Sequence, residues 1–526
     1  MQPKKPKSSS RQESPPRPGD DLRAVAVSAA ASPSPLREFC ASLPPERRRL
    51  VIEREHGVPH TVVARLGEPM GVLTEGLGMN LPPSFQKNQD RAFPVTDHDW
   101  DRLATHLDWL GIKMLRYWLW GDVVLPQPGR LDREHVYVER LRRFDAWAQR
   151  RGARLILDLS GMPAWLRYPT PKSEPRVLAM YTGPRDLQAY VEHYALPVVR
   201  HVVNDRKLES VRYLCLFNEP FNIDVGMDTF YTPPGVDPFQ RYVELHAELR
   251  RRLDAEGITR ERLGLIGPNT FDLYLQPLQE MQRRGLDFVS QVAFVDEHAY
   301  RMRFDYLPEA HHIPTMTMTE TIERYLRPAV RSAHAAGKPY VLTEYSCFYY
   351  IAPDGPTRHE SAITEAEFVI RALAEGVGGA LRYSLINGGE ADGRWQCVNT
   401  TDGSYTPVSN SYYAYAVLAR YTPRGGKLHR VESTATGGRQ AYVHSVAIEY
   451  PPQDRTVLVV NDHPGENIAF ELADLPVKPL VAWQTDATYK HQSVPLQEGR
   501  VLLPPMSVTA ITTFTTTPTD PARIEL

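Results

Sequence analysis

Two glutamates stand near the ends of apolar, β-rich runs of the sequence. Glu219 closes the run Val211–Glu219, and Glu344 lies close to the end of the run Lys338–Ser346. An ionised carboxylate is costly at such a position unless it is paired or used, so both are candidate catalytic groups. Two carboxylates about 5–5.5 Å apart suit double displacement at the anomeric carbon of a sugar, with one as nucleophile and the other as acid and then base. The pair therefore indicates glycoside chemistry, provided that the fold brings the two ends together.

Eight β-rich runs lie between Val72 and about Tyr421, and helical patterns separate them. The runs are Thr74–Leu81, Gly111–Leu119, Ala153–Ser160, Val211–Glu219, Arg262–Asn269, Gln291–Tyr300, Lys338–Ser346 and Gly379–Asn387. Eight strand and helix pairs in this length predict an α/β fold, the (β/α)8 TIM barrel, whose active sites lie at the carboxyl ends of the strands. A doubly wound open sheet is the alternative. It would need a glycine-rich turn after its first strand, and Gly76-Leu77-Gly78-Met79-Asn80-Leu81 lacks the third glycine.

The segments on either side of the predicted barrel differ from it in composition. Residues 1–48, rich in Ser, Pro and Arg, are expected to be a disordered or weakly ordered appendage, and residues 517–526 a tail. Residues 71–422 form the predicted barrel. Residues 423–516 predict an antiparallel β-sandwich, and the β-like segment 49–70 could add a strand to it. The predicted sandwich strands are Gln440–Tyr450, Arg455–Asn461, Asn467–Leu472, Leu480–Asp486 and Arg500–Phe514.

The overall composition excludes several classes of protein. No uninterrupted apolar run approaches the roughly 18–20 residues of a spanning helix, so no membrane span is expected. The formal net charge is −2, so no nucleic-acid partner is expected either. The four cysteines are far apart and are interpreted as reduced thiols. The apolar stretch Ala24–Ala31 follows two aspartates rather than a basic start, so a cytoplasmic location is expected, with secretion through a missing leader as the alternative. His311 and His312 lack a ligand pattern around them, so no metal or cofactor is expected.

Two short motifs carry a resemblance to a known superfamily. Phe217-Asn218-Glu219-Pro220 at the end of the fourth run and Leu342-Thr343-Glu344 in the seventh resemble the clan A retaining glycoside hydrolases, which include families 5, 30, 39 and 51. The resemblance extends to Leu503–Thr509, which is similar to the last sandwich strand of families 30, 39 and 51. It implies that Glu219 is the acid/base, that Glu344 is the nucleophile and that Asn218 binds the sugar 2-hydroxyl.

The same resemblance implies three further site residues. His298 and Tyr300 match the His-x-Tyr of the superfamily on the sixth strand, where the Tyr binds the nucleophile and the His lies near the acid/base or the sugar. Arg116, at the end of the second strand, matches the Arg that keeps the nucleophile ionised. A cation beside Glu344 is expected to lower its pKa, whereas Glu219 needs surroundings that let it keep a proton.

One feature departs from the superfamily pattern. Many members carry a Trp at the end of the eighth strand as a floor for the sugar, but Gly379–Asn387 contains none. Trp395 in the following loop is a candidate replacement, and Trp165 is a candidate stacking residue after the third strand. Both belong to a larger set of aromatic residues near predicted strand ends that suits a carbohydrate cleft, namely Trp118, Trp120, Trp165, Tyr168, Tyr181, Tyr345, Phe348, Tyr349 and Tyr350.

These observations predict a retaining glycoside hydrolase that cleaves β-linked glycosides or polysaccharides without a cofactor. Its expected partner is a carbohydrate substrate, with xylosides, glucosides, mannosides and their polymers all open. A transglycosylase that uses the same residues is one alternative. A catalytically silent carbohydrate-binding protein is another, and the presence of both glutamates argues against it.

Overall fold

The structure is a computed structural model, and eight parallel strands close into a barrel within it. It describes residues 60–81, 96–167, 183–221, 235–270, 276–300, 302–303, 316–347, 358–386, 396–400, 404–407, 410–435, 441–474, 476 and 478–514. Barrel strands 1 to 8, in chain order, are Gly76–Leu81, Met114–Trp118, Arg154–Asp158, Val211–Cys215, Gly264–Thr270, Val292–Ala299, Tyr340–Tyr345 and Gly379–Arg382. Each overlaps one of the eight predicted runs, and the prediction of a TIM barrel is confirmed.

Helices follow each barrel strand and cover the outside of the barrel. They are Asp97–Leu110, Gly121–Val124, Val136–Arg151, Leu187–Tyr190, Leu196–Arg200, Pro238–Ala255, Pro277–Arg283, Met318–Glu320, Arg327–Ala335, Arg358–Ala374 and Asn410–Ala419, with π-helical turns at Val191–Ala195, His201–Asp205 and Thr321–Leu326 and a 3-10 turn at Val289–Gln291. Thr96 begins the first of them, since its hydroxyl accepts from the backbone N–H of Asp99 at 3.2 Å. Within the described part of the chain, no helix combines the length and apolar character needed to cross a membrane.

The barrel interior changes from apolar to polar toward the carboxyl ends of the strands. One layer inside the barrel is apolar, formed by Met114, Ile156, Tyr213, Cys215, Ile266, Phe294, Val341 and Leu381. Side chains two positions apart in a strand share a face. The next inward-facing residues toward the carboxyl ends of the strands are therefore Arg116, Asp158 and Asp296, and all three are fully buried. The polar groups are thus concentrated at the end of the barrel where TIM-barrel enzymes place their active sites.

A second domain contains a mostly antiparallel sheet of nine strands. In spatial order these are Gln492–Val494, Val481–Thr485, Ser507–Thr512, Asp454–Asn461, Val443–Tyr450, Lys427–Ala435, His60–Val72, Ile468–Leu472 and Arg500–Leu503. His60–Val72 lies inside the sheet, antiparallel to Lys427–Ala435 and parallel to Ile468–Leu472. The sheet therefore takes strands from both sides of the barrel sequence. Two short strand pairs complete the described strands. Met302–Arg303 pairs in parallel with Met316–Thr317, and Val398–Asn399 pairs antiparallel with Thr406–Pro407.

The strand prediction for this domain was wrong in two respects. Arg500–Phe514 is two strands rather than one, because Pro504 and Pro505 lie between Leu503 and Ser507 and supply no backbone N–H to a ladder. The strands Lys427–Ala435 and Gln492–Val494 were not predicted. Predictions for residues 1–48, for 49–59 and for 517–526 lie outside the described residues.

The two domains share an apolar interface. One face of the sheet packs within its own core, which includes Val62, Val459 and Phe470. On the other face, Ile448 and Val508 belong to the same core as the helices around the barrel. Cys215, Cys347 and Cys397 are buried free thiols, as predicted.

Candidate active site

A bulge in barrel strand 7 turns Glu344 into the barrel. Strand alternation would point Val341 and Thr343 inward and Glu344 outward. Pairing with strand 6 shifts register between Leu342 and Glu344, so Thr343 is an extra residue in strand 7. Glu344 consequently also faces inward, where Nη1 of Arg116 donates to its Oε1 at 2.6 Å. Bulges commonly re-aim a side chain in this way beside active sites.

Glu219 reaches the same region by a different route. The expected strand to Glu219 was wrong at its end, because barrel strand 4 stops at Cys215 and Glu219 lies in the loop that follows. Its backbone has a left-handed φ of 51°, and its N–H donates to the carbonyl of Asn269 at 3.0 Å. A left-handed residue other than glycine costs about 1–3 kcal/mol and persists only where the surroundings hold it, which is often at functional sites.

The two glutamates meet around His298. One carboxylate oxygen of Glu219, one of Glu344 and one ring nitrogen of His298 all lie within 4.8 Å of one another. All three side chains are buried. Carboxylate oxygens this close are compatible with the roughly 5–5.5 Å between the carboxyl groups of retaining glycosidases.

Arg116 is the charged centre of the site. Besides Glu344, its fully buried guanidinium binds Asp158, with Nε donating to Oδ2 at 2.9 Å and Nη2 donating to the same oxygen. Nη2 also donates to the side-chain oxygens of Asn218, at 2.9 Å, and Asn269, at 3.0 Å. These contacts spread one positive charge over two carboxylates and two amides, which compensates its burial.

Arg116 also determines the tautomer of His298. Its Nη1 lies 3.2 Å from Nε2 of His298, and an arginine can only donate, so Nε2 must be the accepting nitrogen. Burial lowers the pKa of His298 to about 4, so the ring is neutral near pH 7 and carries its proton on Nδ1. Nδ1 therefore donates to Oε1 of Glu219, at 2.9 Å. One arginine thus acts on both glutamates.

The pKa of Glu344 departs from its ordinary value in the direction opposite to the one expected. Burial raises it, and the nearby Glu219 acts in the same direction. Arg116 and a hydrogen bond from the hydroxyl of Tyr300 to Oε2 lower it without reversing the rise. The sequence-based expectation considered the cation but not the complete burial of the carboxyl group, and burial is the larger effect.

The structure brings together Glu219, Glu344, Asn218, Arg116, His298 and Tyr300, six of the eight predicted site residues. Trp165 lies in the loop after barrel strand 3, where its indole N–H donates to the carbonyl of Leu125 at 3.3 Å. Trp395 lies outside the described residues, as do His311 and His312. At the end of strand 8, the half-buried ring of Tyr383 meets the ring of Tyr300 edge-on, with centroids 6.3 Å apart.

Other aromatic residues of the predicted cleft divide into two kinds. The guanidinium of Arg116 lies 4.7 Å from the ring centroid of Trp118, so that tryptophan belongs to the site. Tyr345 instead packs against Phe368 in the apolar core outside the barrel. Tyr168, Tyr181, Phe348, Tyr349 and Tyr350 lie outside the described residues.

Four buried residues beneath the glutamates were not predicted as part of the site. They are Asp158, Asn269, Asp296 and Thr343. Each lies at or near the end of a barrel strand, and a polar residue at that position was a signal available in the sequence. Their mutual contacts depend on strands that are far apart in the sequence, so no local pattern could have grouped them.

Comparisons with known proteins agree with this geometry at the level of fold. The sequence matches no protein-family model and no curated protein. Among solved structures, a family 30 endoxylanase from Clostridium papyrosolvens C71 is 15% identical, with a TM-score of 0.59 over 86% of this chain and 99% of that one. A family 51 alpha-L-arabinofuranosidase from Bifidobacterium longum is 14% identical, with a TM-score of 0.56 over 87% and 99% of the two chains. A family 39 glycoside hydrolase from Bacteroides cellulosilyticus WH2 is 15% identical, with a TM-score of 0.56 over 83% and 80%.

The chain has the fold of the clan A glycoside hydrolases. In this glycoside hydrolase fold, Glu219, His298 and Glu344 are also close enough to share a metal ion, and so are Glu367, His444 and Asp462 beside the sheet domain. In the first group Arg116 already supplies positive charge to Glu344 and occupies Nε2 of His298.

Proposed function

We propose that this protein is a retaining glycoside hydrolase that acts on β-linked glycosides or polysaccharides. The observation that carries the proposal is the approach of the Glu219 and Glu344 carboxylates to within 4.8 Å of one another. One arginine, one tyrosine and one neutral histidine surround them in complementary roles. The similar structures include an endoxylanase and an alpha-L-arabinofuranosidase, which supports glycoside hydrolysis as the reaction class.

In the first step, Glu344 attacks the anomeric carbon and the glycosidic C–O bond breaks. Glu219 donates its proton to the departing oxygen, which leaves as an alcohol, and the sugar becomes esterified to Glu344. Arg116 and Tyr300 each bind one oxygen of Glu344, so they orient the carboxylate before the attack.

In the second step, Glu219 takes a proton from water and the water oxygen attacks the same carbon. The ester to Glu344 breaks, and the sugar leaves with the anomeric configuration that it had in the substrate. The N–H on Nδ1 of His298 stays directed at Oε1 of Glu219 throughout, which keeps the acid/base oriented in both steps.

Asn218 is proposed to hold the sugar. Its Oδ1 faces Arg116, so its amide N–H groups point away from the guanidinium and can donate to a substrate hydroxyl. Contacts to the 2-hydroxyl strengthen as the ring becomes oxocarbenium-like, so this donor would contribute most in the transition state. Trp165 and Tyr383 are proposed stacking surfaces for sugar rings.

A screen of aryl glycosides and polysaccharides tests the proposal. It should include β-xylosides, β-glucosides, β-mannosides, α-L-arabinofuranosides and the corresponding polymers. We expect hydrolysis in which NMR shows the first-formed sugar with the substrate's anomeric configuration. A first product of inverted configuration would overturn the retaining mechanism, and transfer products at high substrate would indicate a transglycosylase.

Two variants attribute the activity to this site. Glu344→Gln should abolish hydrolysis. Glu297→Gln is the matched control, because Glu297 is also a fully buried glutamate, on barrel strand 6, and accepts from Tyr340 at 2.5 Å rather than from the site. Burial raises the pKa of Glu297 to about 8, so near pH 7 it is mostly protonated and glutamine resembles that form. Loss of activity in both variants would count against the assignment.

A further inference from the structure

Asn269 occupies an extra position in barrel strand 5. Pairing with strand 6 places Pro268 opposite Asp296 and Thr270 opposite Glu297, so Asn269 is the inserted residue of a bulge. It is fully buried and has a left-handed φ of 56°. Asparagine tolerates that conformation better than most residues, and a bulge re-aims the side chain that it carries.

The side chain of Asn269 joins three other barrel strands. Its Oδ1 accepts from Nη2 of Arg116 at 3.0 Å. Its Nδ2 donates to Oδ2 of Asp296 at 2.5 Å and to the hydroxyl of Thr343 at 3.1 Å. Arginine can only donate and an ionised aspartate can only accept, so these partners define which way the amide faces. Only a side chain that both accepts and donates hydrogen bonds can satisfy Arg116 on one side and Asp296 on the other.

The backbone of Asn269 supports the other glutamate. Its carbonyl accepts the N–H of Glu219 at 3.0 Å, and both residues are left-handed at this contact. Asn269 therefore holds the backbone of the proposed acid/base and, through Arg116, the cation of the proposed nucleophile. Its contact with Thr343 reaches the extra residue of the strand 7 bulge, directly before Glu344.

We propose that Asn269 is a positioning residue that couples the two glutamates, an inference that rests on the proposed glycosidase function. It touches neither the reacting atoms nor the sugar and acts through Arg116, Thr343 and Glu219. Asp296 makes the amide necessary, because its Oδ1 has no hydrogen-bond partner among the described residues and its Oδ2 depends on Asn269 and Thr343.

Asn269→Ala removes the side-chain bridge and leaves the backbone contact. We expect kcat to fall about 100-fold with KM changed little, because small misplacements of catalytic groups have effects of this size. Asn461→Ala is the matched control. Asn461 is a fully buried asparagine of the sheet domain, and its Nδ2 donates to the carbonyls of Leu503, at 3.1 Å, and Pro504, at 2.8 Å. It should lose thermal stability and keep kcat.

Asn269→Asp separates positioning from general destabilisation through its pH dependence. The charged or titratable groups that interact with Asn269 or with the groups linked to it through Arg116 and Asp296 are Arg116, Asp158, Cys215, Glu219, Tyr242, Asp296, Glu297, His298 and Glu344. When both are ionised, the introduced carboxylate and Asp296 repel, but once the pair holds a proton a hydrogen bond can form between them. The ratio of variant kcat to wild-type kcat should rise by about tenfold from about pH 7.5 to about pH 5.

The outcomes separate this inference from the function on which it rests. Near-normal kcat in folded Asn269→Ala, or a kcat ratio for Asn269→Asp that does not change with pH, would overturn the positioning role while leaving glycosidase activity intact. If wild-type protein hydrolyses no glycoside, the proposed function fails. In that case the melting temperature tests the side-chain bridge from Asn269 to Arg116, Asp296 and Thr343. Asn269→Asp should lower the melting temperature more at high pH than at low pH. A pH-independent difference from wild type would overturn the bridge as well.

Discussion

Barrel strands 4 and 7 position Glu219 and Glu344 in the site in contrasting ways. Glu344 stays within its strand and faces inward because of a bulge, with Arg116 and Tyr300 each bound to one of its oxygens. Glu219 lies beyond its strand, on a left-handed residue, and its Oε1 meets the uncharged ring of His298. Glu344 therefore faces a cation, Arg116, whereas Glu219 faces a neutral hydrogen-bond donor, His298.

The contrast matches the two proposed tasks. A nucleophile must be ionised and must not rotate. A cation and a second donor hold the carboxylate in place and favour its charged form against the opposing effect of burial. An acid/base must gain and lose a proton in each cycle, so a neutral neighbour that does not compete for that proton suits it. Arg116 makes the two surroundings different. Its positive charge lies beside Glu344, and its contact with His298 determines the tautomer of the ring that faces Glu219.

The largest expected effect separates the roles of the two glutamates. Glu344→Ala and Glu219→Ala should each lower kcat by about 10⁴-fold on natural substrates, the order found when a member of a catalytic set is removed. Azide should partly restore turnover of activated aryl glycosides in both variants. With Glu219→Ala the glycosyl azide should keep the substrate's configuration, and with Glu344→Ala it should be inverted. NMR of the azide product distinguishes them, and the reverse assignment would exchange the two roles.

The next largest effect tests whether Glu344, at the end of barrel strand 7, depends on Arg116. Arg116→Lys keeps the charge but cannot reproduce the bonds to Glu344, Asp158 and the two amides, so kcat should fall about 10²–10³-fold. The acid limb of kcat/KM should also move to higher pH, because a weaker cation leaves the pKa of Glu344 further above its ordinary value.

Arg382→Lys is the matched control for that change. Arg382 is equally buried at the end of barrel strand 8 and donates to Glu365 from Nε at 2.7 Å and from Nη2 at 3.2 Å. We expect lower thermal stability and a pH profile of kcat/KM like that of the wild type. A similar shift of the acid limb in both variants would show that it reflects general loosening of the barrel.

A smaller effect concerns the second donor to Glu344. Tyr300→Phe removes one hydrogen bond to a charged group, which is worth about 1.5–3 kcal/mol, so kcat should fall roughly 10- to 100-fold. Tyr340→Phe, which removes the corresponding bond to Glu297 outside the site, should leave kcat within a few-fold of wild type. Equal losses of kcat would remove the distinction between the two tyrosines.

The smallest effect concerns stability alone. Burial raises the pKa of Glu297 to about 8, above its unfolded value, so its contribution to stability is full below the unfolded pKa and is lost as pH rises through about 8. Glu297→Gln should therefore flatten the decline in melting temperature across this range while kcat stays unchanged. Parallel melting curves for variant and wild type would contradict the raised pKa.

Local sequence was sufficient for the barrel strands and for the two glutamates, whereas Asn218, Arg116, His298 and Tyr300 were predicted from the resemblance to a known superfamily. Each barrel strand is a buried run of apolar residues, and burial on both faces produces a pattern that needs no knowledge of the partner strands. The Asn-Glu-Pro and Thr-Glu motifs identified Glu219 and Glu344 because a carboxylate at the end of such a run has few structural explanations. The segment Arg500–Phe514 shows the limit of local pattern, because its two prolines divide an otherwise continuous β-rich run into two strands.

The sequence by itself determined the elements, the polarity of the strand ends and the two carboxylates. Only the tertiary structure decided that Glu344 faces inward, that Arg116 bonds to both Glu344 and His298, and that burial outweighs the cation in setting the pKa of Glu344. Register shifts, contacts between distant strands and desolvation arise from the packed chain as a whole, so they leave no signature in a local stretch of residues.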